Sequence, residues 1–305
     1  MYDKLVISGG ANKVYSVLGA LKQLGDKISS VTHFAGTSAG SIVATLLALG
    51  IQPDDLVIFY DEIDTLFLEI NFYNPITYYR ILFNRGIHDP KVFKTKVIDR
   101  LIEKACGNKN ITFEELYISY SKVLVINGTC LNKRETHYYN YISNPRMKIA
   151  DAITISCCLP LLFQPIEWKG DTLVDGGILE NYPLYYFSDT KSLPNSRIQK
   201  VLDKGEPIKD DTLGIRFIDD TTSRDPKKNY LSNDKTSPVF HFIMSLVNSI
   251  FTSNERRTMR PDYWEKSVAI NLGSFDSISN MVLSSEQKTL LFSKGVEAVV
   301  KKFEN

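Results

Sequence analysis

Apolar residues near the start of the chain switch between short unbroken runs and helically spaced positions. Lys4 to Ser8 (KLVIS) is a run stopped by Gly9-Gly10, the pattern of a strand buried on both faces. Val17, Leu18, Leu21 and Leu24 follow at helical spacing, Gly25 to Ser30 marks a turn, and His33 to Ala35 supply the end of a second strand. Ser41 to Leu49 (SIVATLLAL) continues as a buried helix. Strand, glycine turn, helix, strand, turn, helix is the βαβα opening of a parallel sheet.

Residues 53 to 107 read as mostly helical, starting at Pro53-Asp54, broken by a loop at Asn84-Arg85-Gly86 and restarting after Asp89-Pro90. Thr112 and Glu115 have the spacing of a capping box for the short helix in ITFEELY. Lys122 to Leu131 and Glu135 to Tyr141 read as strands, and Ile149 to Cys158 as a helix. A hairpin is expected around Trp168-Lys169-Gly170-Asp171. Two polar stretches, about 188–211 and 219–237, flank a strand at Thr212 to Ile218 (TLGIRFI). From Pro238 to the end the pattern is mainly helical, with a strand-like SVAINL at 267–272. No repeat is evident, so residues 1–305 are expected to form a single domain carrying surface insertions.

Composition narrows the function classes. With 36 Lys+Arg against 35 Asp+Glu the formal charge is +1, so no global field draws in nucleic acid, and a nucleic-acid partner is not expected. Cys106, Cys130, Cys157 and Cys158 lack metal-ligand spacing, and no metal or other cofactor is expected. The adjacent Cys157 and Cys158 cannot easily bridge each other, and the set suits a reducing compartment. The first ten residues, MYDKLVISGG, carry an acid and too short an apolar run for a secretory signal, and no run approaches a membrane span. The expectation is an intracellular protein, cytoplasmic or membrane-peripheral.

The chemistry-bearing pattern is Gly36-Thr37-Ser38-Ala39-Gly40, between a strand end and a helix. Gly-x-Ser-x-Gly is the pattern of a nucleophile elbow, in which a sharp turn exposes the serine hydroxyl. A serine needs a base. Of four histidines, only His241 follows the best acid in the chain, and its surroundings (SPVFHFIMSL) read as an apolar helix; a Ser-His-Asp esterase using His241 stays open. A carboxylate can also serve when a dry pocket raises its basicity. Asp175 is the candidate: it ends an apolar strand in Leu173-Val174-Asp175, and Gly176-Gly177 provide a tight turn after it. Backbone amides at Gly9, Gly10 and Ala11, with the Ala39 N–H at the start of the next helix, could receive an oxyanion. A nucleotide-phosphate loop is the rival for Gly9-Gly10, but neither the P-loop pattern nor a full G-x-G-x-x-G is present.

The glycine loop, Gly-x-Ser-x-Gly and Asp-Gly-Gly in this order resemble the patatin-like phospholipase family. DAITISCCLPLLFQP (151–165) and LVDGGILENYP (173–183) are similar to that family's stretch around its aspartate, and the likeness runs from about residue 4 to 187. The resemblance implies a three-layer α/β/α sandwich with a mainly parallel sheet and a Ser-Asp dyad: Ser38 as nucleophile, Asp175 as general base, the amides of Gly9, Gly10 and Ala11 as oxyanion hole. It implies a lipid acyl hydrolase of phospholipase A type or a related ester hydrolase, with a lipid acyl ester as substrate and peripheral membrane contact allowed. Ala11 stands where the family usually has a third glycine, and Val14 where it has another. Both side chains disfavour positive φ, so the loop is expected to sit differently. A lipid-binding protein with weakened or lost catalysis is the reading that this departure keeps open.

Two apolar segments bear on lipid contact. Phe59, Tyr60, Phe67, Phe72, Tyr73, Tyr78, Tyr79 and Phe83 could line an acyl channel, lie at an interface or form ordinary core. Phe240, Ile243, Met244, Val247, Ile250 and Phe251 share one helical face, followed by Arg256, Arg257 and Arg260, with core and peripheral lipid contact as the alternatives.

Overall fold

The computed structural model describes residues 1–64, 74–187, 211–218, 261–273, 275 and 283–304, with a few positions between 242 and 253. The strands in chain order are β1 (Lys4–Ile7), β2 (His33–Gly36), β3 (Gly86–His88), β4 (Val123–Cys130), β5 (Glu135–Tyr139), β6 (Leu161–Phe163), β7 (Ile166–Trp168), β8 (Asp171–Asp175), β9 (Thr212–Ile218) and β10 (Ser267–Asn271). Eight of them form one sheet in the order β10-β9-β1-β2-β4-β8-β7, with β5 also paired to β4. From β10 to β4 all neighbours are parallel, whereas β8 and β5 run antiparallel to β4 and β7 antiparallel to β8. The fold is the α/β class expected, with a mainly parallel central sheet flanked by helices.

The sheet is buried on both faces, as the unbroken apolar runs require. Leu5, Ile7, Phe34, Leu124 and Ile126 point to the larger core with helices α1 (Val14–Leu24) and α2 (Ala39–Ala48). Alternate residues Val6, Ala35 and Val125 point to the other face, covered among the described residues by Tyr182, Leu184, Tyr185, Phe187 and Tyr263. The two flanking layers are therefore unequal. Helix α1 is buried on nearly all sides because the C-terminal helix Ser285–Phe303 packs across its outer face. That crossing depends on small residues: a Cβ added to Gly19 would lie 2.0 Å from Phe292 O, and one on Gly295 1.8 Å from Ser16 O.

Most expected elements are present, including the Thr112–Glu115 capping box and the hairpin joining β7 to β8. The region beyond the motif-supported core contributes structurally, since β9 and β10 extend the sheet next to β1. Two strands were not anticipated. β3 and β6 pair in a separate small sheet, and three-residue strands give no periodicity to read. The polar stretch 219–237, residues 188–210, His241, Phe67, Phe72, Tyr73, Phe240, Ile243, Met244, Phe251, Arg256, Arg257 and Arg260 lie outside the described residues. Of the remaining aromatic positions, Phe59 and Tyr60 are core, while Tyr78, Tyr79 and Phe83 are exposed. Among the described residues no helix is long and apolar enough to cross a membrane.

Candidate active site

Ser38 sits between β2 and α2 with φ 50° and ψ −128°. A left-handed φ at a non-glycine residue costs on the order of 1–3 kcal/mol, and the surrounding backbone enforces it here. The enforcement is visible in the close packing of the turn. A Cβ on Gly40 would meet Ser8 O at 2.5 Å, and one on Gly36 would meet Gly40 O at 2.4 Å. The Ser38 backbone N–H donates to Ser156 Oγ at 2.8 Å, and the Ser38 carbonyl accepts from Ser41 Oγ at 2.6 Å. The side chain is left half-buried at the end of the sheet.

Asp175, the last residue of β8, lies opposite Gly128 of β4, which brings it to the same end of the sheet as Ser38. Ser38 Oγ donates to Asp175 Oδ2 at 2.8 Å across 137 positions of sequence. The other carboxylate oxygen, Oδ1, accepts from Gly177 N–H at 2.8 Å, so the Gly176-Gly177 turn orients the carboxyl group. Asp175 is 2% exposed. Burial pushes its pKa up to about 7, against the opposing pull of the Gly177 and Ser38 hydrogen bonds. A carboxyl group so placed changes its charge near neutral pH.

The glycine loop lies beside the serine, since a Cβ on Gly9 would be 3.2 Å from Ser38 Cβ. Its three amides are not equivalent. Gly9 N–H donates to Asn181 O at 3.0 Å, and Asn181 Nδ2 returns a bond to Gly9 O at 3.1 Å. Gly9 is therefore corrected from oxyanion donor to anchor, because its N–H already has a protein acceptor. Gly10 N–H and Ala11 N–H have no acceptor among the described residues. Ala11 takes φ 47° despite its Cβ, and Val14 has φ −53° as the first residue of α1. The two departures thus differ in weight: alanine adopts the left-handed turn, and position 14 never needs it. Lys13 Nζ stands 5.8 Å from the Phe217 ring centroid, over the ring that covers Gly10.

Several supporting residues escaped the sequence reading. Asn127 of β4 accepts from Thr37 Oγ1 at 2.7 Å and donates through Nδ2 to Glu180 O at 2.7 Å, tying the elbow to the segment after Asp175. Tyr60 OH donates to Ala39 O at 2.7 Å. Cys157 adjoins the hydroxyls of Ser38 and Ser41, and burial lifts its thiol pKa well above the usual range. Asn181 and Cys157 lie inside the two stretches that carry the family likeness, but a lone Asn or Cys gives no local signal of its partner.

None of the described histidines bonds to Ser38 or Asp175. His33 meets Thr32 and Asp3, His137 meets Glu135, and His88 packs on Phe163. Cys130, His137 and Asp171 bring ligand-type atoms within 4.8 Å of one another at the opposite end of β8. Each is already engaged: Cys130 Sγ donates to Asn132 Oδ1 at 3.2 Å, His137 Nε2 meets Glu135 Oε1 at 3.0 Å, and Lys133 Nζ donates to Asp171 Oδ2 at 2.8 Å.

A serine with positive φ on a strand-to-helix turn, hydrogen-bonded to a buried carboxyl group beside two amides without a protein acceptor, defines a class: an α/β fold with a nucleophile-elbow serine and, among the described residues, no histidine at that site. The model of the Patatin-like phospholipase family matches residues 5–188, and the chain belongs to that family of lipid hydrolases. "Uncharacterized protein R571" of Acanthamoeba polyphaga mimivirus is 29% identical over 307 residues, covering 97% of this chain and 91% of that protein. "Probable lipid hydrolase 463L" of Invertebrate iridescent virus 6 is 30% identical over 188 residues, 60% of this chain and 62% of its own length. Among solved structures, VipD from Legionella pneumophila has a similar fold, with TM-score 0.59 at 19% identity, over 99% of this chain and 67% of VipD.

Proposed function

We propose that this protein hydrolyses acyl esters of lipids, as a phospholipase A-type or related carboxylic ester hydrolase, through an acyl-Ser38 intermediate. The observation that carries the reading is the 2.8 Å hydrogen bond from Ser38 Oγ to Asp175 Oδ2, made by a serine whose backbone is held in the elbow geometry. Asp175 accepts the Ser38 proton as Oγ attacks the ester carbonyl carbon. The amides of Gly10 and Ala11, with Ala39 N–H at the positive end of α2, receive the oxyanion of the tetrahedral intermediate. Collapse breaks the bond to the leaving oxygen, and Asp175 passes its proton there, releasing the alcohol. A water then loses a proton to Asp175 and attacks the acyl-serine. The second intermediate expels Ser38 Oγ, which recovers the proton, and the fatty acid leaves. Family membership and the lipid-hydrolase name of the iridescent-virus relative support a lipid acyl group as the part transferred.

The pH profile tests the assignment. Asp175 must be ionised to act, and its pKa is raised to about 7. The kcat/KM for a water-soluble acyl ester should therefore rise with pH, by about tenfold per unit below pH 7, and level off above it. A profile flat from pH 5 to 8 would remove the buried carboxylate as base.

A further inference from the structure

After helix α3 (Leu56–Asp64), helix α4 (Pro75–Asn84) presents its apolar face outward. Ile76 is 55% exposed, Tyr78 42%, Tyr79 57%, Leu82 73% and Phe83 69%, while Thr77 is buried and Ile81 half-buried. At helical spacing the five exposed side chains cover an arc of about 160°, and Thr77 and Ile81 lie opposite them, toward the protein. Single exposed apolar residues are ordinary, but a contiguous patch of this kind marks a contact surface. The helix is also firmly set. Asn74 caps its start by accepting from Ile76 N–H at 3.0 Å, Pro75 opens its first turn, and Arg85 ends it with φ 63°. Arg85 then pairs with Glu167 of β7 at 3.2 Å, and the Tyr79 and Phe83 rings lie 4.7 Å apart.

Charge and size identify the occupant. Residues 74–100 hold six Lys/Arg and two Asp/Glu, in a chain whose formal charge is only +1. Arg80 on α4 and Lys91 and Lys96 after it are exposed, and Asp99, one of the two acids, is engaged by Lys94 at 3.0 Å. An exposed apolar helix face with one exposed cation on the helix and others just after it in the chain fits a helix lying in the interface of an anionic membrane. One face of a helix about 15 Å long falls well short of the roughly 800 Å² per partner that a stable protein contact buries. We infer that α4 is a membrane-docking helix that inserts Ile76, Tyr79, Leu82 and Phe83 among acyl chains while Arg80 and its neighbours meet anionic headgroups. The inference rests on the lipid-hydrolase reading and names the surface by which the site would reach its lipid.

Co-sedimentation of the full chain with vesicles tests it directly, using phosphatidylcholine alone and phosphatidylcholine containing phosphatidylserine. The wild type should bind the phosphatidylserine vesicles more tightly, with binding weakened by added salt. The double variant Leu82→Ser, Phe83→Ser should lose about tenfold or more in partitioning. Arg80→Gln should weaken binding only to the anionic vesicles. Hydrolysis of a short-chain ester in free solution should be the same in the double variant as in the wild type, while hydrolysis of vesicle lipid falls. Unchanged vesicle binding by the double variant would overturn the inference. So would a concentration-dependent dimer of the wild type that the double variant abolishes, since the occupant would then be a second copy. Absence of ester hydrolysis in the wild type would contradict the catalytic reading instead, and the binding assay would still decide on α4.

Discussion

Ser38→Ala is expected to reduce acyl-ester hydrolysis by about 10⁵-fold while leaving the melting temperature unchanged or slightly raised. The size follows from the role: removing a nucleophile abolishes the covalent route and leaves only what binding and oxyanion donors contribute, and losses on the order of 10⁴–10⁶ are typical. The stability side follows from the backbone. Ser38 holds φ 50° through its own N–H and C=O, bonded to Ser156 and Ser41, and neither bond involves its side chain. The substitution therefore removes the hydroxyl's contacts with Asp175 and Cys157 and none of the turn. Steady-state kinetics on a soluble ester, with thermal unfolding alongside, separates the two effects. A variant that keeps more than a tenth of wild-type activity would show that Ser38 is not the attacking group.

Asp175→Asn should cost about 10²–10⁴ in kcat/KM, the contribution typical of a positioned general base, and should abolish the acid limb of the pH profile. The same substitution makes a stability prediction of opposite sign. The folded-state pKa of Asp175 is about 7, above the ordinary carboxylate value that applies in the unfolded chain. Between pH 4 and 7 the folded state therefore holds a proton that the unfolded state has released. Its stabilising contribution is complete below pH 4 and is lost as pH rises through 7. At pH 8 the wild type carries a buried, costly carboxylate, which asparagine replaces with a neutral group of the same shape. The variant should melt higher than the wild type at pH 8 and lose that advantage at pH 4. Equal melting temperatures at pH 8, together with retained activity, would mean that the carboxyl group is neither buried in its charged form nor used as a base.

What the sequence disclosed was local. KLVIS before Gly9-Gly10, the helix after Ser38 and TLGIRFI are each decided by residues within a few positions of one another, and each has the expected element. The elbow and the Asp-Gly-Gly turn are equally local, because each needs small residues where backbones meet. The 2.8 Å contact between them is not legible from neighbouring residues, since it depends on β8 pairing with β4 in a register that sets Asp175 opposite Gly128. The loop before α1 shows the limit most clearly. Three consecutive amides looked equivalent as letters, yet Gly9 N–H is engaged by Asn181, a residue 172 positions away whose own side chain closes the pair. Ser156 and Asn127 were invisible for the same reason: a serine at a helix end and an asparagine in a strand show nothing until the fold aims them at Ser38 N–H and Thr37. Helix α4 is a different case. Its pattern is amphipathic, and the ordinary assumption that the apolar stripe faces the core is what the structure reverses.

The proposed mechanism requires Ser38 to be a nucleophile activated by Asp175. Reaction of the full chain with a fluorophosphonate, followed by peptide mass analysis, tests it most directly. One phosphonyl group per chain is expected, on the peptide carrying Ser38, with labelling that slows as pH falls below about 7 and nearly stops in Asp175→Asn. Labelling of the wild type at a different residue, or at Ser38 with the same rate in Asp175→Asn, would contradict it.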